Sequence, residues 1–182
     1  MTTPNNPLLP LWQHYEIARD TFEIANKVVT HSDRHNLLDG TCLGLQSSRE
    51  AKSSLRETFQ QQVNDLFVVS FWATFERFLR DYLQEKGTSL QKTVPSVLGQ
   101  AMYTVFEGEV EYWNLENILE NVLKDFLGPQ KVLVSQAKHI LHYRNWVAHG
   151  KNPKIKTPPS RVSPQFAYKT LGNIIELLII NQ

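Results

Sequence analysis

The chain has 182 residues, of which 41% are hydrophobic, 10% aromatic and 20% charged, and its formal net charge is +1. These values suit one compact domain with its own core and exclude a disordered chain or a polycation. A single cysteine, Cys42, has no partner for an internal disulfide, which excludes a disulfide-stapled secreted scaffold.

No Cys/His spacing suits a structural zinc site. The start, Met1-Thr-Thr-Pro-Asn-Asn-Pro, has neither a basic region nor an apolar one, so no signal peptide is expected. The longest apolar stretch, 174–180, is broken by Glu176. It is far short of the ~20 residues a membrane span needs. The expectation is a soluble cytoplasmic protein without a cofactor or bound metal.

In chain order, Pro10 or Leu11 opens an amphipathic helix that reaches about Val29, with Trp12, Tyr15, Phe22 and Ile24 among its apolar positions. Residues 31–48 contain Asn36, Asp39-Gly40 and Gly44 and read as a loop. Ser48 is a natural N-cap for a long helix ending at Lys86, before Gly87. Leu55, Phe59, Val63, Leu66, Phe67, Phe71, Phe75, Phe78 and Tyr82 recur along it at helical spacing. Its second half is apolar around most of its circumference, which predicts the central helix of the core. Further helices are predicted from Pro95 to about Val110, from Leu115 (capped by Asn114) to Leu127, and from Gln130 to about Ala148, closed by Gly150. Residues 151–163 hold Pro153, Pro158 and Pro159 and form a loop, after which Ser163-Pro164 opens a last helix to Ile180. Hairpin turn chemistry is missing. The predicted architecture is all-α, a bundle of about five or six helices.

Charge is unevenly distributed. Residues 1–125 carry 11 Lys/Arg against 17 Asp/Glu, a net −6. Residues 126–175 hold Lys131, Lys138, Arg144, Lys151, Lys154, Lys156, Arg161 and Lys169 and no carboxylate. Two readings follow: a surface for a polyanion such as a nucleic acid backbone, or a basic half that pairs with the acidic half inside the fold.

The informative segment is Arg144-Asn145-Trp146-Val147-Ala148-His149-Gly150. On a helical wheel Leu133, Ala137, Ile140, Val147 and Ala148 form an apolar face, while Lys138, His142, Asn145 and His149 share a polar stripe. Arg144 falls within the apolar face. A guanidinium there needs a partner or a cleft, and Glu76 on the central helix is the candidate partner, although Glu76 and Arg80 also have the spacing of an i,i+4 surface pair.

Arg, a polar residue, three further residues, His and Gly near the end of a late helix resemble the signature of the HEPN superfamily. The upstream stretch from Phe71 to Leu83 is similar to the central helix of bacterial HEPN proteins of the RiboL-PSP type. The resemblance covers about residues 50–180. It divides the chain into an N-terminal helix and loop extension, 1–48, and a HEPN-like domain, 49–182. It implies a metal-independent endoribonuclease, of a kind found in toxin–antitoxin and other defence systems. It also implies a homodimer whose two motifs face each other, and an antitoxin or defence protein as a further partner. Some members are inactive RNA-binding or protein-interaction modules, which is the alternative expectation. Carried over by position, Arg144 and His149 are the catalytic pair and Asn145 the polar accessory residue. One departure is at Lys151, where HEPN toxins paired with a nucleotidyltransferase antitoxin often carry tyrosine.

The residue types fit that chemistry on their own terms. RNA brings its own nucleophile, the 2′-OH, so cleavage to a 2′,3′-cyclic phosphate needs proton transfer and stabilisation of a more negative phosphorus centre. Imidazole transfers protons near neutral pH, and guanidinium matches two phosphate oxygens without losing its charge. On a straight helix Arg144 and His149 lie about 140° apart, so they converge only across a symmetric interface or if the last turn is distorted; the expectation is that this end of the helix lies at a dimer axis. Lys138, His142, Lys151 and Lys154 are the expected RNA contacts, with Lys156 and Arg161 nearby on the loop.

Overall fold

Helix α2, Arg49–Gly87, is the axis of the protein. Val68, Phe71, Trp72, Phe75 and Leu79 are each three or four positions from another of the set, which places them on one face, and all five are fully buried. Ser48 caps the helix by accepting a hydrogen bond from the Ala51 amide at 3.1 Å. At the other end Gly87 lies against Phe106, where an added Cβ would come within 2.1 Å of the ring. The stop at Gly87 is therefore a point of close helix approach.

In the computed structural model, residues 6–31, 37–46, 48–152, 154 and 158–180 are described. The remaining helices are α1 (Leu9–Thr30), α3 (Ser96–Val110), α4 (Leu115–Ile118), α5 (Lys124–Leu127), α6 (Val132–Ala148) and α7 (Pro164–Ile180). A π turn at Leu119–Leu123 joins α4 to α5 into the single helical passage expected from the sequence. Among the described residues there is no strand. The fold is an all-α bundle.

α2 packs against α1, α3, α6 and α7, and α6 packs against α7. From α1, Trp12 stacks on Tyr168 of α7 with ring centres 4.6 Å apart, and Tyr15 meets Phe67 edge-on. Leu8, just before α1, is fully buried in the same core. From α6, Leu133, Val134, Ala137, Ile140, Leu141 and Tyr143 face inward. α7 begins as anticipated: the Ser163 hydroxyl accepts from the Phe166 amide, with Pro164 at the first helical position.

The core face of α6 does not extend to its end. Trp146 and Val147 are half-buried against the core, whereas Ala148, His149 and Gly150 are exposed, so α6 opens to solvent only at its very end.

Of its two candidate partners, Glu76 meets Arg80. Its carboxylate meets Arg80 at 3.0 Å, and no contact joins it to Arg144. Nor is Glu76–Arg80 a surface pair. Arg80 is 8% exposed and donates to the carbonyl oxygens of Val110 at 2.6 Å and Trp113 at 3.3 Å. It thereby caps the carbonyl end of α3, while Glu76 balances its charge. Removing such a buried cation leaves both carbonyls and the carboxylate without their donor. Arg80→Met is expected to lower folding stability by about 3 kcal/mol, seen as a lower urea midpoint with an unchanged slope.

Candidate functional site at the end of α6

The last turn of α6 ends in a Schellman motif. The Gly150 amide donates to the Val147 carbonyl at 3.0 Å and the Lys151 amide to the Trp146 carbonyl at 2.8 Å. His149 is the C-cap residue, with φ −89° and ψ 21°. Gly150 takes the left-handed conformation this motif requires, at φ 72°. Lys151 is also left-handed, at φ 55°, an uncommon state for a residue with a side chain.

The three motif residues occupy different environments. His149 is exposed, and its imidazole makes no hydrogen bond or ion pair among the described residues. Arg144 is half-buried: Nη1 donates to Asn145 Oδ1 at 2.9 Å, while Nε is shielded from solvent without a partner. Arg144 and Asn145 are thus brought together, with the amide fixing the guanidinium. No hydrogen bond joins Arg144 to His149 among the described residues.

The basic residues expected to contact RNA are partly engaged elsewhere. The Lys138 ammonium pairs with Glu120, and with Glu116 at 3.4 Å. The Glu120 carboxylate raises the Lys138 pKa above the usual lysine value, and the Lys138 ammonium in turn lowers that of Glu120. His142 Nε2 lies 3.4 Å from Glu116. Lys151 forms an ion pair with Asp65. Lys154 and Arg161 are exposed, and Lys156 lies outside the described residues. Of the two readings of the basic stretch, pairing with the acidic half is what Lys138 and Lys151 show within one chain.

Asp65 is the residue that sequence reasoning missed. It lies on α2 and is 2% exposed. The Tyr143 hydroxyl donates to its Oδ1 at 2.5 Å, Gln61 Nε2 donates to the same oxygen at 2.6 Å, and the Lys151 ammonium meets Oδ2. A buried carboxylate needs this degree of satisfaction, because an unpaired one is strongly disfavoured. Lys151 also lies over the Trp146 ring, 5.7 Å from its centre, and Trp146 packs against Tyr143 at 5.8 Å. Trp146 is held within its own chain. The signal for Asp65 is its register: 65, 68, 72, 75 and 79 continue one core face, so a charged residue falls at a core position.

Among the described residues no group of three or more His, Cys, Asp or Glu side chains is placed to hold a metal ion. An open groove on α6 is lined by Ser135, Lys138, His139, His142, Pro159 and Ser160, with His139 Nε2 donating to the Ser160 carbonyl at 2.9 Å. Comparison with protein-family models, with curated proteins and with solved structures finds no match to this chain.

Burial, followed by the hydrogen bond to Asp65, holds the Tyr143 phenol well above the ordinary value of 10.0. The sign follows: below pH 10 the proton is bound in both states, whereas above it the unfolded chain ionises while the folded one retains its proton, so stability falls as pH rises. Absorbance titration of the six tyrosines should contain one that ionises only as the fold is lost. Tyr143→Phe should remove that late step and lower stability at neutral pH by about 2 kcal/mol, the scale of a hydrogen bond to a charged group.

Proposed function

We propose that this chain is a metal-independent endoribonuclease of HEPN type. Its bundle would be a HEPN-like domain and its working form a homodimer, with Arg144, Asn145 and His149 from both protomers around one RNA phosphodiester. The observation that carries the proposal is the Arg144–Asn145 pair in the last turns of α6, followed by an exposed His149 that makes no hydrogen bond among the described residues.

The chemistry follows from the groups. The Arg144 guanidinium offers the Nη donors not used by Asn145 to the phosphate and favours the charge that accumulates as the 2′-oxygen attacks. Asn145 holds the guanidinium in place. One His149 imidazole accepts the 2′-OH proton, and the second, from the partner protomer, donates a proton to the departing 5′-oxygen. The products are a 2′,3′-cyclic phosphate and a free 5′-hydroxyl. Two-fold pairing supplies the second imidazole and brings the guanidinium of one protomer towards the imidazole of the other. Exposed Leu55, Phe59 and Leu66, on the stretch of α2 that bears Asp65, are apolar surface available to such a contact. A defence role, with an antitoxin or other regulatory partner in the cytoplasm, accords with this activity.

A second reading is a catalytically inactive helical module that binds RNA or a partner protein. It draws on the ion pairing of Lys138 and Lys151, which leaves less free positive charge on α6 than the sequence implies.

The two readings part on one assay. Incubated with RNA in excess chelator, the wild-type protein should generate 2′,3′-cyclic phosphate ends, and His149→Ala should lower the rate by about 10²–10⁴-fold with its thermal midpoint unchanged. RNA that is bound but left intact by the wild type would favour the inactive module. Cleavage by His149→Ala at the wild-type rate would remove the proposed role of the imidazole.

A further inference from the structure

The imidazole of His149 has no side-chain partner of its own among the described residues, so the backbone of the turn decides where it points. That backbone is unusual. Gly150 and Lys151 are both left-handed, at φ 72° and 55°. Glycine adopts this conformation freely, but a residue with a Cβ remains there when its surroundings impose it. The two Schellman hydrogen bonds end the helix, yet helix-end bonds open readily when nothing else ties them down.

The tie is the Lys151 side chain. It folds back across the Trp146 ring to the Asp65 carboxylate on α2. Asp65 is itself immobilised, since its other oxygen is occupied by Tyr143 and Gln61 and the residue is 2% exposed. A Schellman motif commonly carries an apolar contact between the residue after the glycine and the one five positions earlier. Here Lys151 and Trp146 fill those positions, and a cation over an aromatic face takes the place of that contact. The charge then continues to a buried anion.

We propose that Asp65 and Lys151 form a positioning pair that locks the His149–Gly150 turn to the central helix, so that cleavage depends on both although neither touches RNA. The catalytic consequence rests on the ribonuclease reading; the locking of the turn does not. The pair also gives Lys151 a role other than the RNA contact expected from its sequence position.

The test compares wild type, Lys151→Met, Lys151→Arg and the double variant Asp65→Asn/Lys151→Met. The double variant leaves no unpaired charge in the core and preserves an oxygen for Tyr143, which guards against simple unfolding. Two quantities are read: amide hydrogen exchange at positions 150 and 151 with α7 amides as an internal control, and kcat and KM on RNA. In Lys151→Met and in the double variant, exchange at 150 and 151 should rise by about tenfold or more, on the scale of a lost hydrogen bond to a charged group, while α7 stays protected. Displacing His149 should lower kcat by about 10²-fold with little change in KM, and Lys151→Arg should recover most of both.

Exchange at 150 and 151 that stays at the wild-type rate in the double variant would overturn the pair's locking role. A raised KM with unchanged kcat in Lys151→Met would overturn its catalytic role and mark Lys151 as a direct RNA contact. If the wild type cuts no RNA, the ribonuclease reading fails by itself, and exchange alone decides whether the turn is locked.

Discussion

A carboxylate sealed inside a helical bundle sets what surrounds it. Asp65 faces the interior of α2 and is met from three sides: by Gln61 one turn earlier, by Tyr143 from the middle of α6, and by Lys151 from beyond its end. An ion there is tolerated when its lone pairs are filled and its charge is balanced. Those requirements fix how α6 is placed on α2 along its length and about its axis, because moving either helix by one residue would strand the charge. They also draw in the chain after His149, which would otherwise leave the bundle freely. The exposed turn after α6 is thus tied to a buried residue of the central helix.

Much of the fold is legible in the sequence because the governing interactions are local. Ser48 and Ser163 mark helix starts through hydroxyls that reach amides within three residues, and Gly150 marks a helix end through its left-handed φ. The central helix is legible from the spacing of its aromatic residues, of which Phe71 and Phe75 are fully buried and Phe67 and Phe78 half-buried, whereas Leu55, Phe59 and Leu66 in its first half are exposed. Local signals do not reveal the partners of charges. Lys151 finds Asp65 across 86 positions of sequence, and Lys138 finds Glu120 across 18. Arg80 caps a helix 30 residues away, which no i,i+4 rule contains.

Glu76 illustrates the limit. Its spacing from Arg80 suggests an exposed pair, whereas its place on the central helix suggests a partner from α6. The fold keeps the first partner but buries it, because Arg80 must also satisfy the carbonyl end of α3. The segregation of charge in the sequence likewise has a partly internal purpose. Glu116 and Glu120 lie across from α6 and neutralise Lys138, and Glu116 also approaches His142. Of the polar stripe on α6, Asn145 and His149 remain near its end, with Asn145 paired to a guanidinium whose shielded Nε has no partner. The concentration of uncommitted chemistry at that end, and its firm attachment to α2, are what the proposed function builds on.

The central proposition is that Arg144 of one protomer and His149 of another hold a single phosphodiester. It is tested most directly by a crystal structure with an oligoribonucleotide whose 2′-hydroxyls are methylated, so that the nucleophile is absent and the strand stays intact. The expected result is a two-fold dimer with one phosphate lying between the Arg144 guanidinium of one protomer and the imidazole of its partner. RNA bound along another face, or a phosphate at the α6 end met by groups of one chain alone, would contradict it.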